Sequence, residues 1–142
     1  MIFIRTPLLI GGYKIFIMDE IEKLKTAKAL EAESWQDSKN MSRLWIEVIT
    51  ILEDVLKHNP ENVVALTNLG AMYSNFAKYN DALNLLKKAV ALNFEDKNLY
   101  FNLGVVSIGL KREKEASDYF IASSKMESNE LTFSAYIDFH AL

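Results

Sequence analysis

Two asparagines, Asn68 and Asn102, stand 34 residues apart in matching surroundings, LTNLGAMY and YFNLGVVS. A carboxamide offers a donor and an acceptor side by side, so one asparagine can engage both the C=O and the N–H of a peptide backbone, whatever side chains that peptide carries. This is recognition chemistry rather than bond-breaking chemistry. Residue types that would nominate a reaction are sparse. The two histidines, His58 and His140, have no metal-ligand spacing with each other or with a carboxylate cluster. There is no cysteine, which removes thiolate metal sites, disulfides and a cysteine nucleophile. No G-x-S-x-G, P-loop or dinucleotide fingerprint occurs. The pair Glu53 and Asp54 reads as a solvated helix face, and His58 as a favourable charge near a helix C-terminus. No catalytic residue, metal or cofactor is expected.

The elements that must position these asparagines follow from pattern. At 142 residues the chain is long enough for one domain with a real core. Half the residues are apolar and a quarter charged, the balance of a folded globular protein. A net charge of −3 with acids and bases interspersed leaves no basic stripe, so nucleic acid is not an expected partner. Residues 1–17, MIFIRTPLLIGGYKIFI, form an apolar leader. Arg5, Pro7, Gly11, Gly12 and Lys14 interrupt it too often for a membrane span, and it lacks the charge order and cleavage site of a signal peptide. Three readings remain open: an unstructured leader before a start at Met18, a strand pair turning at Gly11 and Gly12, or a membrane-associating tail. The chain is expected in the cytoplasm, away from membranes.

From Asp19 onward the apolar spacing is helical. Leu44, Val48, Ile51, Leu52, Val55 and Leu56 share one helix face, which ends where Pro60 blocks continuation. Helices are predicted over about 63–75, 80–92, 97–110 and 113–126, with a shorter closing segment at about 130–141. Short connections make these helical hairpins within a single domain, 18–142.

The 34-residue return resembles the tetratricopeptide repeat, whose pattern is W-x2-L-G-x2-Y, then A-x3-F, then P. Leu66, Leu69, Gly70 and Tyr73 match its first helix, with Ala82, Leu86 and Ala89 in the second. Tyr100, Leu103, Gly104, Ala116 and Phe120 repeat them. Two good repeats are placed at about 63–96 and 97–130. A weaker one at 29–62 puts Trp35 at the Leu69 position, Val48 at that of Ala82 and Leu52 at that of Leu86, with Gln36 and Lys39 departing from Gly and Tyr. Its first helix is therefore displaced or begins early, near Asp19. The resemblance implies an all-α fold, a right-handed superhelix of stacked antiparallel helical hairpins closed by a C-terminal capping helix at about 130–141. Gly70 and Gly104 would sit where the two helices of a hairpin approach most closely.

In such a solenoid the first helices line a concave groove. The resemblance places Val64, Thr67, Asn68, Ala71, Ser74 and Asn75 on it from one repeat, and Asn98, Phe101, Asn102, Val105, Ile108 and Gly109 from the next. The first repeat adds Glu33 and Asp37, which would favour a basic ligand residue. Asn68 and Asn102 are implied to hold a ligand backbone, with Phe101, Val105 and Ile108 as apolar anchors. The expected function is a non-catalytic adaptor that binds a peptide or helix of a partner protein. The alternatives are a self-assembling module, a homodimer through apolar ends such as Phe133, Tyr136, Ile137 and Phe139, and a dedicated chaperone for a bacterial secreted or toxic protein. The N-terminal MIFIRTPLLI is a further candidate to fill the groove.

Overall fold

The computed structural model describes residues 5–10 and 13–138. Strands β1 (Arg5–Ile10) and β2 (Tyr13–Met18) pair antiparallel, with Arg5 opposite Met18 and Ile10 opposite Tyr13. The turn at Gly11 and Gly12 lies outside the described residues. Among the described residues six helices follow: α1 (Glu20–Ser34), α2 (Met41–His58), α3 (Val63–Asn75), α4 (Tyr79–Ala91), α5 (Lys97–Gly109) and α6 (Glu113–Ser124). They form three antiparallel hairpins, α1–α2, α3–α4 and α5–α6, with α2 against α3, α4 against α5, and α3 against α5.

Local chemistry sets the helix starts. Asp19, Asn62 and Asp96 each turn a side-chain oxygen onto a free N–H of the first turn, at Glu22, Ala65 and Asn98 respectively. Such caps are worth about 1 kcal/mol each. Residues in the left-handed region stand just beyond the ends of α3, α4 and α5, at Ala77, Asn93 and Lys111. Ala77 and Lys111 are themselves 34 residues apart, so the repeat extends to the backbone of the turn.

One stretch of core joins the first two hairpins through Leu24, Ala27, Val48, Leu52, Val55, Leu69 and Met72. A second joins the latter two through Leu66, Ala82, Leu86, Ala89, Leu99 and Leu103. Glu53 and Asp54 do more than meet water. Glu53 accepts a 2.8 Å hydrogen bond from the Tyr73 hydroxyl, bridging α2 to α3, and Asp54 forms a 2.6 Å ion pair with Lys23 of α1. Burial and the Glu53 carboxylate push the Tyr73 hydroxyl up to about 12. The hydrogen bond from Lys23 lowers the Asp54 carboxyl. His58 is exposed at the end of α2, with Nδ1 2.9 Å from the Asp54 carbonyl oxygen.

Two sequence expectations need correction. The first hairpin takes the early start, at Glu20, so the repeat bound at 29 does not hold, and Trp35 is the C-cap residue of α1 instead of an interior position. A longer turn, residues 35–40, separates α1 from α2 and breaks the 34-residue register. The closing segment is not a capping helix: after a turn at residues 130–131 the chain forms neither helix nor strand from 132 to 138. Its backbone groups are held by side chains of other helices, which replaces the hydrogen bonds that a helix would supply.

Candidate functional site: an asparagine-lined groove

The helices α1, α3 and α5 line one face, and the C-terminal segment lies along it. Asn68 Nδ2 donates to the Leu131 carbonyl at 2.9 Å, and its Oδ1 accepts from the Phe133 N–H at 2.9 Å. Asn102 repeats this two residues further on. Its Nδ2 donates to the Phe133 carbonyl at 3.2 Å, and its Oδ1 accepts from the Ala135 N–H at 2.7 Å. Both carboxamides are fully buried. Nδ2 of Asn102 also lies 3.4 Å from the Thr67 carbonyl, which ties α5 to α3 beneath the segment.

The register follows from two repeat distances. Asn75, seven residues beyond Asn68 on α3, accepts from the Tyr136 N–H at 2.8 Å. Seven residues of helix rise about 10.5 Å. The N–H groups held by these two asparagines belong to Phe133 and Tyr136, three residues apart, or about 10 Å of extended chain. The segment therefore runs in the same sense as α3 and α5 and nearly keeps pace with them. Asn98 and Asp96 fix its start: the Thr132 hydroxyl accepts from Asn98 Nδ2 at 3.0 Å and lies 2.9 and 3.0 Å from the two Asp96 carboxylate oxygens. Asp96 thus serves both as the cap of α5 and as the anchor of the segment.

Side chains alternate as extended chain requires. From Phe133 onward the pattern holds: Phe133 and Ala135 are buried, whereas Ser134, Tyr136 and Asp138 are exposed; Thr132, also buried, is held by Asp96 and Asn98. Phe133 and Ala135 join the core that holds Ala71 and Val105, and Leu131 and Ile137 pack against its edge. From α1, Lys28 Nζ donates to the Glu130 carbonyl, and the Trp35 ring lies 5.6 Å from that of Tyr136. Trp35 belongs to an aromatic row continued by Trp45 and Phe76, with centroids 5.6 and 5.5 Å apart. Burial raises the pKa of the neighbouring Glu31, whose carboxylate accepts from Trp35 Nε1 at 2.5 Å.

The residues singled out from sequence thus divide. Asn68, Asn75, Asn98 and Asn102 converge on one extended peptide, with Thr67, Ala71 and Val105 beneath or beside it. Phe101 is half-buried, its ring 5.3 Å from Phe120, and it helps line a recess with Trp35 and Ile137. Ile108 lines a second recess with Ser74 and Asn75. Glu33 is exposed at the end of α1, and Asp37 sits in the following turn, where it accepts from Asn40 Nδ2 at 2.8 Å. Neither borders the segment, because the first repeat is out of register. Lys28 and Glu31 of α1, and Trp35 at its C-cap, stand beside the segment instead. Phe139 and His140 lie outside the described residues.

Among the described residues, no group of three or more His, Asp or Glu side chains is placed to hold a metal ion. No helix among them is long and apolar enough to cross a membrane. Residues 63–93, which span α3 and α4, match the family model of the tetratricopeptide repeat. That match and the six helices are consistent with a tetratricopeptide-type repeat protein, whose repeats typically serve protein–protein interaction. No curated protein matches the chain.

Proposed function

We propose that this chain is a non-catalytic interaction module whose groove captures an extended peptide of a partner protein by its backbone. One observation carries the reading: two buried asparagines, one repeat apart, each hold a C=O and an N–H of a single extended segment. Four such hydrogen bonds make no demand on ligand side chains. Selectivity falls to the apolar sites occupied by Phe133 and Ala135, and the groove suits a peptide with apolar residues at alternate positions. Panning phage-displayed random peptides on the chain tests this. Enriched sequences should share that alternation, and Asn68→Ala/Asn102→Ala should lose them. Peptides without alternation, retained by the double variant, would refute the reading.

Self-assembly draws on a different surface. Beyond α5 and α6, Phe101 and Phe120 border an open, mostly apolar recess of about 340 Å³, and the exposed Ile121 lines a second recess with Phe120. This is the end on which a further hairpin would stack. If a second copy covers it, sedimentation over a concentration series will show a dimer that Ile121→Asp abolishes. A single monomeric species throughout would exclude it.

A further inference from the structure

The occupied groove carries an inference that rests on the peptide-binding reading and deepens it. The segment engages Asn68 and Asn102 through both amide groups but Asn75 through only one. Asn75 Oδ1 accepts from Tyr136, whereas its Nδ2 is buried without a hydrogen-bond partner among the described residues. Beside it the Ser74 hydroxyl, 4% exposed, is likewise unpartnered. Both border a recess of about 230 Å³, closed on one side by Tyr136, Ile137 and Asp138 of the segment. A buried polar group without a partner costs about 1–3 kcal/mol. The segment is therefore an incomplete ligand: neither the apolar Ile137 nor Asp138, which lines the same recess, supplies an acceptor to the Ser74 hydroxyl or to Asn75 Nδ2.

We propose that residues 130–138 are a built-in occupant of the groove, and that a partner peptide of the same extended, alternately apolar form displaces them. Such a peptide gains its advantage by placing an acceptor, a side-chain carbonyl or carboxylate, in the recess at Ser74 and Asn75. Several features suit the segment to exchange. It is joined to α6 by a short non-helical link, its backbone is held by side-chain amides instead of a strand ladder, and alternate residues face outward. Access to the groove is then controlled by whatever competes for or restrains this tail.

The test uses a fluorescein-labelled peptide of residues 129–138 and its Ile137→Gln variant, titrated by anisotropy against full-length chains. Ala135→Pro in the chain removes the N–H that Asn102 accepts while tolerating extended backbone, so it weakens the tail without touching the groove. The peptide should bind the Ala135→Pro chain at least tenfold more tightly than the unaltered chain, and Ile137→Gln in the peptide should tighten it several-fold further. Circular dichroism checks that the helices persist, and Phe133→Ala supplies a second weakened tail. Equal affinity for all three chains, or no binding to any, would overturn the proposal. Adding Asn68→Ala/Asn102→Ala to the Ala135→Pro chain separates the two levels. Peptide binding that survives this change would lie outside the groove and refute the capture reading itself; binding lost there, but equal in strength for the weakened and intact tails, would refute only the displaceable occupant.

Discussion

Asn102→Ala is expected to release the C-terminal segment while leaving the six helices folded. The substitution removes the donor to the Phe133 carbonyl and the acceptor for the Ala135 N–H, and it leaves both backbone groups facing a methyl in a site shielded from water. With hydrogen bonds worth about 1 kcal/mol each, the segment loses at least about 2 kcal/mol of attachment. Hydrogen exchange at the Ala135 amide should accelerate by about 30-fold or more, while amides within α2 and α4 change little. Asn102→Asp retains the acceptor and loses the donor, so it should fall between. Asn68→Ala/Asn102→Ala cuts four bonds and should bring the Phe133 and Ala135 amides close to the exchange of free peptide. Unchanged protection in the double variant would mean that apolar packing of Phe133 and the bonds from Asn75, Asn98 and Asp96 suffice to hold the segment.

The two repeat glycines should differ sharply in what they tolerate. A Cβ at Gly70 would lie 2.5 Å from Leu86 Cδ2 and 2.7 Å from its Cγ, and Leu86 is fully enclosed in the core. At Gly104 the obstacle is the Phe120 ring. Phe120 is only half-buried and borders two open surface recesses, so its ring has somewhere to go. Overpacking costs about 1–3 kcal/mol, and the site that cannot relax should show the upper end. Gly70→Val is expected to destabilise by about 3 kcal/mol and Gly104→Val by about 1 kcal/mol in urea unfolding. Gly104→Ala should be nearly neutral, since losing a mid-helix glycine returns up to about 1 kcal/mol. Leu86→Ala combined with Gly70→Ala should cost less than the sum of the two, because the smaller side chain makes the room that the new methyl requires. Equal losses at the two glycines would show that the hairpins do not differ in rigidity.

Much of the repeat architecture was legible because its determinants are local or periodic. The helices predicted at 63–75, 80–92, 97–110 and 113–126 differ from α3 to α6 by at most two residues at an end. The groove positions of Asn68, Asn75, Asn98 and Asn102 follow from the same period. The first hairpin was less legible because its groove helix buries polar residues, among them Glu22, Thr26, Glu31 and Ser34, which blur an apolar stripe. Stepping back by 34 residues then placed Glu33 and Asp37 where Glu31 and Trp35 belong.

The C-terminal segment was misread for a different reason. LTFSAYI contains the period-2 alternation Leu131, Phe133, Ala135, Ile137, a strand-like signal, yet a short apolar run is ambiguous between strand and helix. What decides between them is the source of the backbone's hydrogen bonds. Here they come from asparagines about 30 to 65 residues away in sequence, and nothing local announces that. The asparagines and their extended partner were each visible in the sequence; their pairing was not.

The central claim is that Asn68 and Asn102 hold a ligand backbone that takes the place of the tail. Its most direct test is to follow the side-chain amide resonances of these two residues, assigned by their loss in the alanine variants, as the Ile137→Gln peptide of residues 129–138 is added to the full chain. Both carboxamides should stay hydrogen-bonded in the complex, with shifted resonances, while the Phe133 and Ala135 amides of the chain's own tail lose their exchange protection. A peptide that binds while those resonances stay unmoved and the tail stays protected would contradict the account.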